Sequence, residues 1–152
     1  MKILAENKKA YFEYDILEKY QAGLVLQGPE VKSAKNGHIN LTGGYAVANK
    51  NGEVWLINCL ISPYPPAGLV YLSTYEDRRS RKLLLKKKEI NYLIGKSQIK
   101  GYALIPLKAY LEGIFIKIEI GLGRGKKQWN KKETIKDRET KRDMRRAMRE
   151  KA

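Results

Sequence analysis

Negative charge is scarce in this chain. Across 152 residues, 16 Asp and Glu face 31 Lys and Arg, leaving a formal net charge of +15. Cysteine occurs once, at Cys59, which excludes an internal disulfide and suits a reducing, cytoplasmic setting. Cys59 itself reads as a small buried residue in the apolar run VWLINCLI. Histidine also occurs once, at His38, so a His/Cys zinc cluster is not expected, and a histidine-based nucleophile site would rest on that one ring. No apolar run approaches the roughly 20 residues that cross a bilayer as a helix. The opening MKILAENKKAYFEYD meets charge within six residues and lacks the apolar stretch of a secretory signal.

Enzymatic patterns are missing as well. GLGRGKK has glycines and lysines but neither the spacing nor the following Ser or Thr of a phosphate-binding loop. Its glycines read as backbone freedom where a strand leaves the fold. Glu13, Asp15, Glu18 and Glu30 lie on different expected elements, and no paired-carboxylate motif unites them. No catalytic residue, metal or cofactor is expected.

What the chain does have is basic charge, concentrated at its end. From Arg124 onward, thirteen basic residues stand against five acidic ones, a net +8. So few apolar residues occur there that burial cannot offset the entropy of ordering the segment. The expected organisation is therefore a domain over residues 1–123 and a flexible basic tail over 124–152, ordered by a polyanion, most simply RNA. Arg142, Arg145, Arg146 and Arg149 recur at helical spacing, as do Met144, Ala147 and Met148, so a helix formed on a partner would carry a basic face.

The first 62 residues read as mostly β. Tyr11–Leu17 and Tyr20–Gln27 are aromatic and branched runs. Pro29 and Gly37 bracket a short helix in PEVKSAKNG. Ile39–Leu41, Tyr45–Ala48 and Glu53–Ile61 read as strands, with Asn51-Gly52 as a hairpin turn. Three prolines make the Pro63 region a loop. Tyr75–Gly95 reads as helical, with Leu83, Ile90 and Ile94 on one face and Gly95 as its stop. Tyr102–Leu122 is the clearest strand pair, turning at Glu112-Gly113, with Ile114, Ile116, Ile118 and Ile120 on one face. The pattern predicts a mainly β chain: a small OB-like antiparallel barrel with two or three packed helices.

Three basic groups could track a phosphate backbone. Asn7, Lys8 and Lys9 form the first. Arg78, Arg79, Arg81 and Lys82 run on to Lys86, Lys87 and Lys88. Arg124, Gly125, Lys126 and Lys127 open the tail. Tyr64, Tyr71, Tyr75 and Trp129 are the aromatics available for stacking on unpaired bases. Glu30 pairs with Lys32 or Lys35, sits in the first helical turn, or accepts hydrogen bonds from RNA base or ribose donors.

Several stretches then resemble one family. NKKAYFEYDI, GPEVKSAKNG, RSRKLLLKKKEI and GYALIPLKAYLEGIFIKIEIGLGRGKKQWNKK, in this order over nearly the whole chain, are similar to the SmpB family of bacterial SsrA-binding proteins. The resemblance implies a protein that binds the tRNA-like domain of transfer-messenger RNA (SsrA RNA) and delivers it to stalled ribosomes in trans-translation. The tail is then expected to enter the empty decoding site and messenger channel of the small subunit and fold there as a helix. Glu30 and Leu84 match family positions implicated at the RNA surface. Gly125, Lys126 and Lys127 match a motif needed for tagging after RNA binding. Trp129 falls where a ring can stack in the decoding centre. Asn130, Lys131 and Lys132 fall on an Asp-Lys-Arg motif, with Asn130 in place of Asp and Lys132 in place of Arg.

The expected RNA-binding set is Asn7, Lys8, Lys9, Glu30, Lys32, Arg81, Lys82, Leu84, Lys86, Arg124, Gly125, Lys126 and Lys127. The expected ribosome-binding set is Trp129, Asn130, Lys131, Lys132, Lys136, Arg138, Lys141, Arg142, Arg145, Arg146 and Arg149. The partners implied are transfer-messenger RNA, the stalled ribosome and, indirectly, the elongation factor Tu complex. No membrane is implied, and the chain is expected to be a monomer. From composition alone, a structural ribosomal protein with an rRNA-threading basic extension remains the alternative.

Overall fold

The computed structural model describes residues 1–126. Nine strands and four helices follow in the order β1 (Lys2–Glu6), α1 (Lys8–Glu13), β2 (Tyr14–Leu24), α2 (Gly28–Lys35), β3 (Ile39–Asn40), β4 (Tyr45–Ala48), β5 (Val54–Ile57), β6 (Leu60–Ile61), α3 (Leu69–Thr74), β7 (Arg81–Leu84), α4 (Lys87–Ser97), β8 (Tyr102–Glu112) and β9 (Phe115–Gly125). A 3-10 turn at Pro65–Ala67 precedes α3. The fold is mainly antiparallel sheet, as expected.

Six strands close into a ring: β8, β4, β5, β7, β2 and β9, with β9 pairing back onto β8. β1 adds outside the ring on β8, and β3 pairs with β6 as a separate two-stranded piece. The long β2–β9 and β8–β9 ladders carry most of the register. The joint between β4 and β8 is much thinner, a single residue pair, Ala46 opposite Leu104. α4 packs against both strands of that joint, and its Leu93 is fully buried in the main core.

Two apolar clusters hold the chain together. Inside the ring, Ala22, Leu56, Leu83, Leu104, Ile118, Ile120 and Leu122 meet, with Ala34 of α2 and Leu93 of α4 completing the cluster. Outside it, α1 covers part of β8 and β2, and Ala10 packs with Ile105 and Leu107. The glycines of GLGRGKK serve this outer cluster by being small. A Cβ on Gly121 would lie 2.9 Å from Leu107 Cδ1, and one on Gly123 would lie 3.0 Å from Tyr14 Cβ. They sit within β9 and make room for neighbouring side chains to close over it, which corrects the expectation that they loosen a departing strand.

Several elements depart from the sequence reading. KKAYFE is helical where Tyr11–Leu17 is expected to be strand, because Ala10 has an apolar patch to cover. β2 is one strand from Tyr14 to Leu24, bent by a register shift between Ile16 and Glu18. β1 has no counterpart among the expected elements. The largest correction falls on Tyr75–Gly95. Arg81–Leu84 is a strand pairing with β5 on one side and β2 on the other. The helix begins at Lys87 and runs through Gly95 to Ser97. Ile114 is in the β8–β9 turn and 75% exposed, away from the buried Ile116, Ile118 and Ile120. β9 continues to Gly125, two residues past the expected domain edge at Gly123.

Candidate nucleic-acid interface

Glu30 is the most constrained charged group described. It lies at the third position of α2, and its side chain is fully buried. One carboxylate oxygen accepts from the Gln27 backbone N–H at 2.9 Å and from Arg79 Nη2. The other accepts from Arg81 Nε at 2.7 Å and Arg79 Nε at 3.1 Å. Tyr75 completes the shell: its hydroxyl donates to the Ile61 carbonyl at 2.8 Å and lies 3.1 Å from Glu30. Burial alone would raise the Glu30 pKa. The hydrogen bonds from Arg79 and the Gln27 N–H, with the charge of Arg81, outweigh it and hold the carboxyl below its usual range.

Arg81 is the reciprocal case. It too is fully buried, in the strand that the sequence reading assigned to a helix. Besides Glu30, its guanidinium donates to the carbonyls of Cys59 at 2.7 Å, Arg79 at 3.2 Å and Asp77 at 3.0 Å, and to Tyr75 Oη at 3.0 Å. Five N–H groups thus have five acceptors, the full capacity of a guanidinium. Neither Glu30 nor Arg81, both expected RNA contacts, has an open face for a nucleotide in this structure; both are engaged within the fold. The partners of Glu30 are Arg79 and Arg81 rather than Lys32 or Lys35. Arg79, at 27% side-chain exposure, is the charged member of the network that reaches solvent.

Asn7 is likewise engaged within the fold. It is buried, its side chain donates to the Pro106 carbonyl at 3.0 Å, and its N–H donates to the Leu107 carbonyl at 2.8 Å. It ties the β1–α1 connection to β8. Lys8 and Lys9 beside it are exposed, Lys9 within 3.7 Å of Glu13.

The other expected contacts fall into two regions. The end of α1 and the end of β9 come together: Lys126 N–H donates to the Glu13 carbonyl at 3.0 Å, and its Nζ donates to the Tyr11 carbonyl at 3.3 Å. Arg124, also exposed, lies 3.9 Å from Asp15. At the second region, Lys82 is half-exposed, Leu84 is 55% exposed, and Lys86, just before α4, is exposed. Lys32 is exposed, with its Nζ 5.5 Å from the centre of the Tyr64 ring. Tyr71 and Tyr75 stack on each other at 4.9 Å, and Tyr75 serves the Glu30 network, so this pair is already engaged within the fold. Lys127, Trp129, Asn130, Lys131, Lys132, Lys136, Arg138, Lys141, Arg142, Arg145, Arg146 and Arg149 lie outside the described residues.

Sequence reading missed two things. The ion network joins residues 51 positions apart, and no local pattern announces it. The outward positions of β4 and β5, among them Tyr45, Val47 and Trp55, are apolar where a solvated face calls for polar residues. Period-two counting along YAVA and VWLI would have found them.

Comparison with known proteins gives a consistent result. The family model described as SmpB protein matches residues 4–150. SsrA-binding protein of Gloeothece citriformis is 51% identical over 147 residues, covering 97% of this chain and 93% of the relative. The protein of the same description from Gloeobacter violaceus is 53% identical over 148 residues, covering 97% and 95%. That from Geobacillus kaustophilus is 48% identical over 149 residues, covering 98% and 94%. A solved chain described under "tmRNA-SmpB: a journey to the center of the bacterial ribosome" is similar with a TM-score of 0.66 and 42% identity, covering 82% of this chain and 85% of that one.

Proposed function

The chain belongs to the SmpB family, and from that premise we propose that it is an RNA-binding adaptor, not an enzyme. It binds the tRNA-like domain of transfer-messenger RNA and brings it to stalled ribosomes for trans-translation. The ring grips folded RNA, and the cationic segment beyond Lys126 probes the vacant decoding site and messenger channel. The adaptor works in the cytoplasm as a monomer, with the elongation factor Tu complex as an indirect partner.

The observation that carries this reading is the likeness to a chain solved in a tmRNA–SmpB context, over most of both chains. The placement of charge supports it. Exposed cations gather at two regions of one ring, and one of them, around Arg124 and Lys126, is the root of the +8 extension. Phosphate contacts of this kind supply affinity and register, and they make binding fall steeply with salt.

Truncation after Lys126 tests the division of labour. That cut keeps every described element and the Lys126–Glu13 hydrogen bond. The shortened chain is expected to bind transfer-messenger RNA within a few-fold of the full chain and to lose tagging of nascent peptides. Loss of RNA binding with tagging intact would overturn the assignment. Co-sedimentation separates the structural alternative: an adaptor is scarce and enriched on stalled ribosomes, a structural protein stoichiometric on all of them.

A further inference from the structure

α4 touches the ring in two chemically different ways. Its Leu93 is fully buried in the main core, with Ile90 partly buried against the same cluster. That side of the helix lies over β4 and β8. The second contact is polar and falls on β2, two strands from β8 around the ring. Tyr92 donates its hydroxyl proton to Glu18 Oε1 at 2.8 Å, and Tyr20 donates to the other Glu18 oxygen.

The bulge in β2 explains why a carboxylate stands there. The register shifts between Ile16 and Glu18 and leaves Leu17 as the extra residue. Glu18 is then opposite Leu122 and Tyr20 opposite Ile120, and both of those partners are buried in the ring. Bulges re-aim side chains in this way. A carboxylate brought to such a position needs its acceptors filled. Tyr20 fills one oxygen from within β2, and Tyr92 fills the other from α4. The hydrogen bonds from Tyr20 and Tyr92 hold the Glu18 carboxyl below its usual range, so it is ionised at neutral pH. Beside this contact is a cavity of about 330 Å³ walled by Glu18, Tyr20, Lys88, Glu89 and Tyr92. Water has room there to take over the bond that Tyr92 gives up.

Both ends of α4 are joined to the basic regions with little slack. Only Leu85 and Lys86 stand between β7 and the helix. Lys86 N–H donates to Glu89 Oε1 at 3.2 Å, and its carbonyl accepts the Ile90 N–H at 3.0 Å. At the other end, Ile99 N–H donates to the Lys96 carbonyl at 3.2 Å, and Tyr102 N–H to the Ile99 carbonyl at 3.1 Å. Gly101 lies in this turn at φ +86, and its carbonyl accepts the Gly125 N–H at 2.8 Å. The 11-residue helix, about 16 Å long, therefore runs from Lys86 in one basic region to the root of the cationic extension in the other.

We propose that α4 is a rigid brace between the two basic regions, held by a releasable clasp of Glu18 and Tyr92, so that displacement at Lys86 is felt at Gly125. The clasp is the two-state element that such coupling requires. Closed, Tyr92 bonds Glu18. Open, Glu18 bonds water and the helix has lifted from β2. The brace is a property of the free chain. Its use rests on the RNA-binding reading above: a phosphate drawing on Lys86 alters how the extension leaves the ring.

Amide hydrogen exchange of the full chain, read by NMR, tests the brace without RNA. Tyr92→Phe keeps the ring and removes the hydroxyl. Losing a hydrogen bond to a charged group is expected to speed exchange of the α4 amides from Asn91 to Ser97 by roughly tenfold. The Gly125 amide is expected to speed up by the same factor, and the Ile118 and Ile120 amides of β9 to stay as they were. Glu18→Gln keeps one acceptor oxygen, so it is expected to give a smaller rise in α4 and Gly125 in the same ratio; it decides if Tyr92→Phe does not fold. Faster exchange in α4 with Gly125 unchanged makes the helix a local cover and overturns the brace. Unchanged exchange in both removes the clasp, and a uniform rise that includes Ile118 and Ile120 is a general loss of stability; either result overturns the proposal. Adding the tRNA-like domain of transfer-messenger RNA is expected to slow α4 and Gly125 together. Slowing of α4 alone overturns the coupling. Failure to bind that RNA overturns the RNA-binding reading and leaves the brace to the free-chain result.

Discussion

Replacing Glu30 by Gln separates a carboxylate that touches RNA from one that holds up the surface RNA touches. Gln keeps the size and one acceptor oxygen but removes the charge. Arg81, fully buried, would then have only neutral acceptors: the carbonyls of Cys59, Asp77 and Arg79 and the Tyr75 hydroxyl. Removing one partner of a buried ion pair destabilises by about 3–5 kcal/mol. The remaining acceptors, with the amide oxygen still able to take the Arg81 Nε proton, place this case near the lower end, about 3 kcal/mol. That is a large share of the roughly 5–15 kcal/mol that holds a domain folded. For a chain of this length it lowers the melting temperature by roughly 10 °C. Circular dichroism melts of the full chain measure it directly. RNA affinity should fall too, because Arg79 loses its Nη2 bond to the oxygen that the amide nitrogen replaces, keeping only the Nε bond, and the loop leading into β7 loosens. The refuting result is a Glu30→Gln chain that melts within about 2 °C of the original and still loses RNA binding. The carboxylate would then act on RNA itself, and its burial here would have to be relieved on binding.

The same network sets a pH dependence. Because the Glu30 carboxyl is held below its ordinary 4.5 in the folded chain, its contribution to stability is full above that value. It declines as pH falls toward the folded-state value, so melts between pH 6 and pH 3 should show an acid-side loss that Glu30→Gln lacks. Arg79→Gln leaves the buried Glu30–Arg81 pair intact; it should cost less stability than Glu30→Gln yet lower RNA affinity and the salt slope, read by filter binding at several salt concentrations. Gly44→Ala should be destabilising by about 1–3 kcal/mol, since its Cβ would lie 2.3 Å from Cys59 Sγ. Combining it with Cys59→Ala, which removes that sulfur, should cost less than the two single changes added together in a denaturant-unfolding cycle.

How much could be read from residues alone depended on how local the cause was. The β8–β9 hairpin announces itself because Ile116, Ile118 and Ile120 alternate with Lys117 and Glu119, and its turn is marked by Gly113 at φ +62. α2 is equally legible, with Pro29 in its first turn and Gly37 at φ +82 beyond its end. β7 is not. In RKLLLKKKEI the three leucines suit either period, and the lysines that follow favour a helix. What decides is distant: β5 and β2 each leave an edge that Arg81–Leu84 completes. That choice of strand turns Arg81 inward toward Glu30, so the misread element and the missed ion network share one origin. α1 was hidden for a similar reason, since Tyr11 and Phe12 look like strand residues until Ile105 and Leu107 need covering. Among the expected contacts, exposed lysines could be named from composition, but Asn7, Glu30 and Arg81 could not be told from surface residues without knowing what lies over them.

The joint at Ala46 and Leu104 gives the ring a built-in line of weakness. The β2–β9 and β8–β9 joints are riveted by long runs of paired backbone and β2–β7 by two pairs; here one rivet and a helical strap do the same task. Prising α4 away would free the β4–β5 flap to swing while the long β2–β9–β8 wall kept its shape. The circumference of this ring is therefore governed from outside the sheet, by how firmly Leu93 stays seated.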